Sequence, residues 1–595
     1  MEGQTAVVGY RPNVGVRHGL LLLALYSFAG CNSEGGNPRR SPAAASQVTQ
    51  SEWFGERAQA TGLDFVHFNG MSGELYDPET MGPGVALFDY DNDGDLDVLL
   101  IQGDMLGSQK TVAQALSPPA GPLPLTSRLF RNDLETRPDG TRVPHFTDVT
   151  SQSGLDIRGY GMGVATGDFN NDGCTDVYVT KFGKNQLLRN NCNGTFTDVT
   201  RESRTSDSGW SVSATFFDFD RDGWLDLFVG HYLIYSTEHT TKCFSLAGMP
   251  DYCSPSVHSP EPNHLYHNNR DGTFTDVTAA AGMAADFGGA LGAVAADFNR
   301  DGWSDLYVTN DGHQNQLWIN QRNGTFKNTA LLAGTALSEE GIAKASMGVD
   351  AGDFDNDGDD DIVMTELTGQ GSNVFVNDGS GIFTEQSARL GIHGPTLPYT
   401  GFGTAWFDFD NDGWLDILAV NGLVFHNPER VKQPFEMQQR MQLLRNVSGH
   451  FEDVTGRAGS VFAREVIGRG AAFGDIDNDG DVDVVVATDN GGPLLLINEV
   501  GSLNHWVGLR LVGTGGRDMV GARVEVVRTD GAHRWRRARA DGSYASANDP
   551  RVVIGLGTSP VSLALVRVQW PDGRTEEWTG GVIDRYTTLK EGTGK

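Results

Sequence analysis

Residues 89–97 read DYDNDGDLD, with carboxylates at Asp89, Asp91, Asp93, Asp95 and Asp97. Five like charges in nine residues repel one another in water unless a cation sits among them. The arrangement returns as DFNNDGCTD from Asp168, DFDRDGWLD from Asp218, DFNRDGWSD from Asp297, DFDNDGDDD from Asp353, DFDNDGWLD from Asp408 and DIDNDGDVD from Asp475. These are loops 1 to 7 in chain order. Each follows a small-residue run such as GVATG or SATFF and precedes a short apolar run such as VLLI, VYVT or VVVA. Such runs, β-branched and bounded by Asp/Gly turns, read as buried strands rather than helices.

The spacing inside the loop is that of an oxygen cage. Alternation at positions 1, 3 and 5 aims three side chains inward, glycine at position 6 permits a sharp turn, position 7 offers its carbonyl, and the acid at position 9 closes the shell from the next strand. Calcium takes six to eight oxygens at about 2.3–2.6 Å and suits such a cage. The side-chain ligands assigned in this way are Asp89, Asp91, Asp93 and Asp97; Asp168, Asn170, Asp172 and Asp176; Asp218, Asp220, Asp222 and Asp226; Asp297, Asn299, Asp301 and Asp305; Asp353, Asp355, Asp357 and Asp361; Asp408, Asp410, Asp412 and Asp416; and Asp475, Asp477, Asp479 and Asp483. Up to seven calcium ions are expected. Magnesium prefers fewer, more rigid ligands, and zinc or copper would draw on His or Cys, which these loops lack apart from Cys174 at a position that points away. A metal-free reading as Asx turns has to explain the same acid spacing seven times over.

A second motif, F-x-D-V-T or a relative, recurs at Phe146, Phe196, Phe274, Phe326, Phe383 and Phe451. In five of the six a glycine follows eight residues on; the second has Arg204 there. Phe54 opens a degenerate copy with Gly62 in the matching place, but no acidic loop precedes it. Conversely, no F-x-D-V-T follows the last loop. The two ends are complementary halves, which predicts an all-β, seven-bladed propeller over residues 52–503 whose last blade is completed by the strand at Phe54. An open β-solenoid, the alternative, needs no matching half-repeats.

The 45 basic and 77 acidic residues leave a net charge of −32, which disfavours nucleic acid as a partner. At the start, Arg11 and Arg17 precede an apolar run ending in FAGC, too short to span a bilayer as a mature helix. Residues 1–31 therefore read as a lipoprotein signal peptide, with Cys31 as the lipidated anchor, and residues 32–51 as a flexible tether. Asn32 after Cys31 favours the outer membrane or cell surface. Export implies an oxidising compartment and pairing of the other four cysteines. Cys243 and Cys253 share one loop. Two antiparallel crossings return the chain from Cys174 to the same end of the blade at Cys192, so those two are expected to pair as well.

The nine-residue loop between small-residue and apolar strands resembles the FG-GAP or VCBS repeat of integrin α-chain propellers, which implies calcium binding. From Asn504 the stretches NHWVGLRLVGTGGRDMVGARVEVV, ADGSYASANDPRVVIGLG and VRVQWPDGRTEEW resemble the ASPIC/UnbV module. Together they make the chain similar to bacterial relatives of cartilage acidic protein. Alternating strands between the turns TDGAH, ADGS and PDGR predict a small β-sandwich at residues 504–595. Residues 501–595 hold 14 Lys/Arg and 10 Asp/Glu, a net of +4 that leaves −36 on the remainder. The cluster HRWRRAR from His533 to Arg539 reads as a solvated strand face, the alternatives being docking on the acidic propeller or on a polyanion.

The function expected is a monomeric, extracytoplasmic binding or adhesion module for a protein or glycan. The alternatives are an enzyme acting on a polysaccharide or secondary metabolite, or a purely structural surface protein. The residues that break the repeat, His231, Tyr232, Asp311, His313, Glu366 and His426, all follow an apolar strand, which places them on one face of the ring near its channel as a candidate ligand face. There is no G-x-S-x-G, no H-E-x-x-H and no phosphate-binding glycine loop, and no catalytic residue is assigned.

Overall fold

A computed structural model describes residues 52–245, 248–425, 437–559 and 561–595. Each acidic loop joins the first and second strands of an antiparallel four-stranded unit. In blade 1, Val85–Phe88 runs into the loop, Asp97–Leu100 runs out of it, and Arg128–Asn132 and Phe146–Asp148 complete the sheet. The first strands of the next six units are Tyr160–Gly167, Ser208–Phe217, Ala290–Ala296, Val349–Gly352, Gly401–Phe407 and Gly468–Gly474. These seven strands touch in chain order, and the last touches Val85–Phe88 again, so the ring closes. Units 2 and 3 also join edge to edge, where Ser208–Trp210 pairs with Phe182–Lys184.

Closure takes the form expected from the half-repeats. Phe54–Glu56 pairs with Leu494–Asn498 and supplies the fourth strand of blade 7. Glu56 Oε1 accepts the Ala58 N–H at 2.8 Å, as Asp148 Oδ1 accepts the Thr150 N–H at 3.0 Å. FGE is thus a working copy of F-x-D: the acid caps the four-residue helix that follows. Gly62 ends that helix at φ +96°, in the left-handed region open to glycine, whereas Arg204 is held there at φ +65°.

Apolar clusters fill the spaces between neighbouring blades. Ala86, Phe88 and Leu99 of blade 1, for example, pack on Val164, Val177 and Val179 of blade 2. The C-terminal module has two sheets, one of His505–Val512, Val552–Gly557 and Tyr586–Lys590, the other of Arg523–Arg528, His533–Arg537, Leu563–Gln569 and Thr575–Thr579. Val507, Leu509, Val524, Val526, Ile554, Val566 and Trp570 fill the space between them.

A segment of this module fills the ring's channel, and its backbone and side chains bond to the first strand of every blade. Ala547 exchanges bonds with Val85 and Leu87, and Val164 donates to Ala545 O at 3.1 Å. Ser213 Oγ accepts from Ala545 N, Ala295 N donates to Asp541, and Val349 N donates to Ser543 O. Arg539 reaches Trp406 O, and Phe473 N donates to Asn548. Tyr544 is fully buried, stacks edge-on against Phe402 and donates to Met81 O at 2.7 Å. A Cβ on Gly84 would stand 1.8 Å from Ala545 O, which explains part of the small-residue run ahead of loop 1.

Candidate metal centres

In loop 1, Asn92 (φ +62°) and Gly94 (φ +95°) turn the chain sharply, and backbone amides orient the acids. Asp89 Oδ1 and Oδ2 accept the N–H groups of Asp93 and Gly94, both at 3.1 Å, and Asp93 Oδ1 accepts that of Asp95 at 2.9 Å. Asp97 pins the loop to its own sheet, accepting from Tyr90 N at 2.9 Å and Asn132 N at 2.8 Å. One carboxylate oxygen from each of Asp89, Asp91 and Asp97 lies within 4.8 Å of the other two. The same pattern recurs in the later loops, for instance at Asp408, Asp412 and Asp416.

These carboxyls are held out of water. Burial, the leading cause each time, pushes Asp89, Asp168, Asp218 and Asp297 up to about 6, Asp353 and Asp475 up to about 7, and Asp408 up to about 8. At position 9 burial raises all seven acids well above the usual carboxylate range. Three position-3 oxygens, Asp91 Oδ1, Asp410 Oδ1 and Asp477 Oδ1, are buried without a hydrogen-bond donor. Orphaned buried acceptors in an all-oxygen cluster fit a hard divalent cation such as calcium, which would complete them. The loops are not equivalent. Arg445 Nη2 lies 2.6 Å from Asp410 Oδ2 in loop 6, and His267 Nε2 lies 2.9 Å from Asp220 Oδ2 in loop 3, so side chains there contend for the same oxygens.

Two sets of residues that position the loops escaped the sequence reading. Position 4, to which no ligand is assigned, chains a loop to the next wherever it is asparagine: Asn92 Nδ2 donates to Gly173 O, Asn171 to Gly223 O, Asn356 to Gly413 O, Asn411 to Gly480 O, and Asn478 back to Gly94 O. An asparagine ending each third strand clamps neighbouring blades. Asn268 Nδ2 donates to Phe169 O in the preceding loop at 2.8 Å and to Leu225 O in its own at 2.9 Å, and Asn132, Asn190, Asn320, Asn377, Asn446 and Asn498 reach back in the same way. Part of the signal was present in the sequence: Asn190, Asn268, Asn320 and Asn377 each stand six residues before a phenylalanine motif, whereas Asn446 stands five and Asn132 fourteen residues before theirs.

The basic cluster of the C-terminal module is not a solvated face. Arg536 and Arg537 are buried against the propeller: Arg536 donates to Gly413 O, and Arg537 to Ala295 O and Asp541. Arg539 pairs with the buried Asp350 at 2.7 Å. Around the same face Arg510 lies 3.8 Å from Asp89, Tyr586 donates to Asp475 Oδ2 at 2.9 Å, and Arg551 donates to Asp475 O at 2.8 Å. The propeller's excess of carboxylates makes this docking favourable, because buried guanidinium groups need anionic or carbonyl partners. A cavity of 860 Å³ remains between the module and loops 7, 1 and 2, lined by Asp89, Asp168, Asp477, Arg142, Arg510, Arg517, Trp506 and Tyr586.

The candidate ligand face is largely closed. Tyr232 donates to Asp311 Oδ2 at 2.5 Å, and His313 Nδ1 lies 2.9 Å from Asp311 O, so these three meet. His231 and Tyr232 are buried, as is Glu366, whose carboxyl accepts from Ser346 at 2.9 Å. His426 and Cys31 lie outside the described residues. Both cysteine pairs are bonded as expected, Cys174 to Cys192 and Cys243 to Cys253.

The FG-GAP-like repeat model matches residues 168–229, 248–308, 297–364 and 353–419, and the ASPIC and UnbV model matches residues 513–595. The chain carries FG-GAP repeats and an ASPIC and UnbV module. Cartilage acidic protein 1 of Xenopus tropicalis is 28% identical over 190 residues, 31% of this chain and 28% of that protein. The Homo sapiens protein is 29% identical over 170 residues, 27% and 24% of the respective lengths. The chain thus spans about a quarter of the relatives it matches. Among solved structures, an Agrocybe aegerita lectin recognising non-reducing terminal N-acetylglucosamine has a TM-score of 0.34 at 17% identity, covering 62% of this chain and 79% of the lectin. The six-bladed Aleuria aurantia lectin has a TM-score of 0.30 at 11% identity, covering 62% of this chain and 94% of its own. Loops 2 to 6 lie within the residues that the FG-GAP-like model matches, and all seven acidic loops occupy the junction of first and second strands in their sheets.

Proposed function

We propose that this is an exported, lipid-anchored propeller that binds up to seven calcium ions and serves outside the cytoplasm as a binding module for a protein or glycan. The carrying observation is the 860 Å³ cavity where the C-terminal module meets loops 7, 1 and 2. The channel is filled, whereas this chamber opens between two charged walls. Arg517 on one wall is buried and its Nη1 has no hydrogen-bond partner, so an anionic group of a ligand would satisfy it. Calcium in loops 1 and 2 would place further positive charge at Asp89 and Asp168 on the opposite wall. Trp506 and Tyr586 supply aromatic surface for a sugar ring or apolar side chain. The paired cysteines support an oxidising compartment, and the anchor rests on FAGC and Cys31.

Glycan and extracellular-protein arrays probed with calcium and with chelator test this reading. Binding should require calcium and weaken in Arg517→Met. Binding indifferent to both changes rejects it, and substrate turnover abolished in His313→Ala with calcium stoichiometry intact would move the site to the channel face.

A further inference from the structure

Away from the acidic loops, at the junction of blades 2 and 3, lies a cluster of different chemistry. Asp207 stands just ahead of the strand Ser208–Phe217, His231 ends the strand Asp226–His231, and His264 begins the strand His264–Asn268. One donor atom from each lies within 4.8 Å of the other two. His231 Nε2 is 3.3 Å from Asp207 Oδ2, close to the separation of two tetrahedral ligands that share an ion about 2.0–2.2 Å from each. That carboxylate oxygen is buried and has no hydrogen bond of good geometry; the His231 ring and the Tyr266 hydroxyl are the donors beside the carboxylate.

The neighbours are arranged as a second shell would be. His264 Nδ1 lies 2.9 Å from Asp276 Oδ2, which holds the proton on Nδ1 and leaves Nε2 as a lone-pair donor. Asp207 Oδ1 accepts the Ser208 N–H at 2.7 Å, fixing the carboxylate. His231 is 1% exposed, whereas the His264 side chain is 32% exposed and opens a path from solvent. A serine relay is excluded: Ser211 Oγ and Asp207 approach the same nitrogen of His231, and Ser211 is fully buried, while a relay needs its serine and carboxylate at opposite nitrogens.

We infer that Asp207, His231 and His264 form a zinc-class divalent-metal site, separate from the seven acidic loops, with Asp276 as the carboxylate behind His264. Two imidazoles and one carboxylate select a borderline transition ion over calcium, which needs more oxygens than this cluster holds. Three protein ligands leave a fourth position for water or another small donor on the His264 side.

The test is cobalt titration of the whole mature protein with its loops saturated by calcium, read by visible d–d absorption and by displacement with zinc. One equivalent of cobalt should give the absorption of a four- or five-coordinate site and be displaced by zinc. His231→Ala and His264→Ala should abolish the band, His267→Ala should leave it, and Asp276→Asn should weaken affinity about 10- to 100-fold. Circular dichroism and calcium stoichiometry report folding of each variant; should buried His231→Ala misfold, the partly exposed His264 and Asp276 decide. No band in the wild-type protein, a band retained in His264→Ala, or a band lost in His267→Ala overturns the assignment.

Discussion

The propeller and the C-terminal module meet on one face and differ in how they are built. The ring is one unit written seven times, with an acid cage, a capped turn and an asparagine clamp in each copy. The module occurs once, carries the opposite net charge and sends a single irregular segment down the channel. Repetition can close a ring, yet it leaves seven inner strand edges around a hole, and exposed backbone groups there need partners. The nonrepeating segment from Arg539 to Asp549 supplies them, bonding to all seven blades, with Ala545 serving two of them. The lesson is that the module is part of the propeller's core rather than an appendage to it.

Removing calcium attacks the repeated half and should have the largest effect. An ion present at about 100 times its Kd contributes roughly 2.7 kcal/mol at each site, so a chelator should lower Tm steeply and calcium should restore it. A melting curve unchanged in excess chelator rejects the metal reading. Tyr544→Ala attacks the single-copy half; loss of a fully buried aromatic ring should cost about 3–5 kcal/mol in urea unfolding with calcium present. If the cost is below about 1 kcal/mol, the plug adds little beyond filling space.

Asn268→Ala breaks one interblade clamp and leaves two buried carbonyls short of a donor, which should cost about 1–3 kcal/mol while calcium stoichiometry holds. Within the ring, acids off the loops can be told from the loop acids by pH. Burial pushes Glu79 and Glu366 up to about 8 from the ordinary 4.5. A carboxyl raised in the folded state adds stability that is complete below about 4.5 and lost as pH rises through about 8. The loop acids shift in the same direction, but their loss should be answered by calcium, whereas the loss from Glu79 and Glu366 should persist in calcium and shrink in Glu366→Gln. Urea midpoints across that range, with and without calcium, check both parts. The smallest effect expected is at Arg204: glycine there relieves a left-handed backbone and should raise stability by roughly 0.5–1 kcal/mol.

Much of the loop was legible because each carboxylate position, turn glycine and strand start is local in sequence. The two disulfides followed from the same local logic, since strand order alone returns Cys174 to Cys192. The Asn92 and Asn268 contacts were not legible as contacts, because each bonds to a carbonyl in a neighbouring repeat and backbone carbonyls have no sequence signature. The basic cluster misled for a related reason. Alternating Arg and apolar residues on a strand look the same whether the arginines face water or an acidic surface, and only the partner decides. His231 and Glu366 were placed at the channel end of their strands, but that position is buried rather than open.

By itself the sequence determined the all-β unit, its sevenfold repetition, the completion of the last blade by Phe54–Glu56 and the carboxylate spacing of the loops, all of which depend on residues close in the chain or on exact recurrence. Only the tertiary structure decided that ADGSYASANDP fills the channel, that the arginines of the C-terminal module face the loops, that a cavity survives between them, and that Asp207, His231 and His264 converge. Those outcomes depend on groups from segments tens to hundreds of residues apart, and their meeting is set by closure of the ring and docking of the module rather than by any local preference.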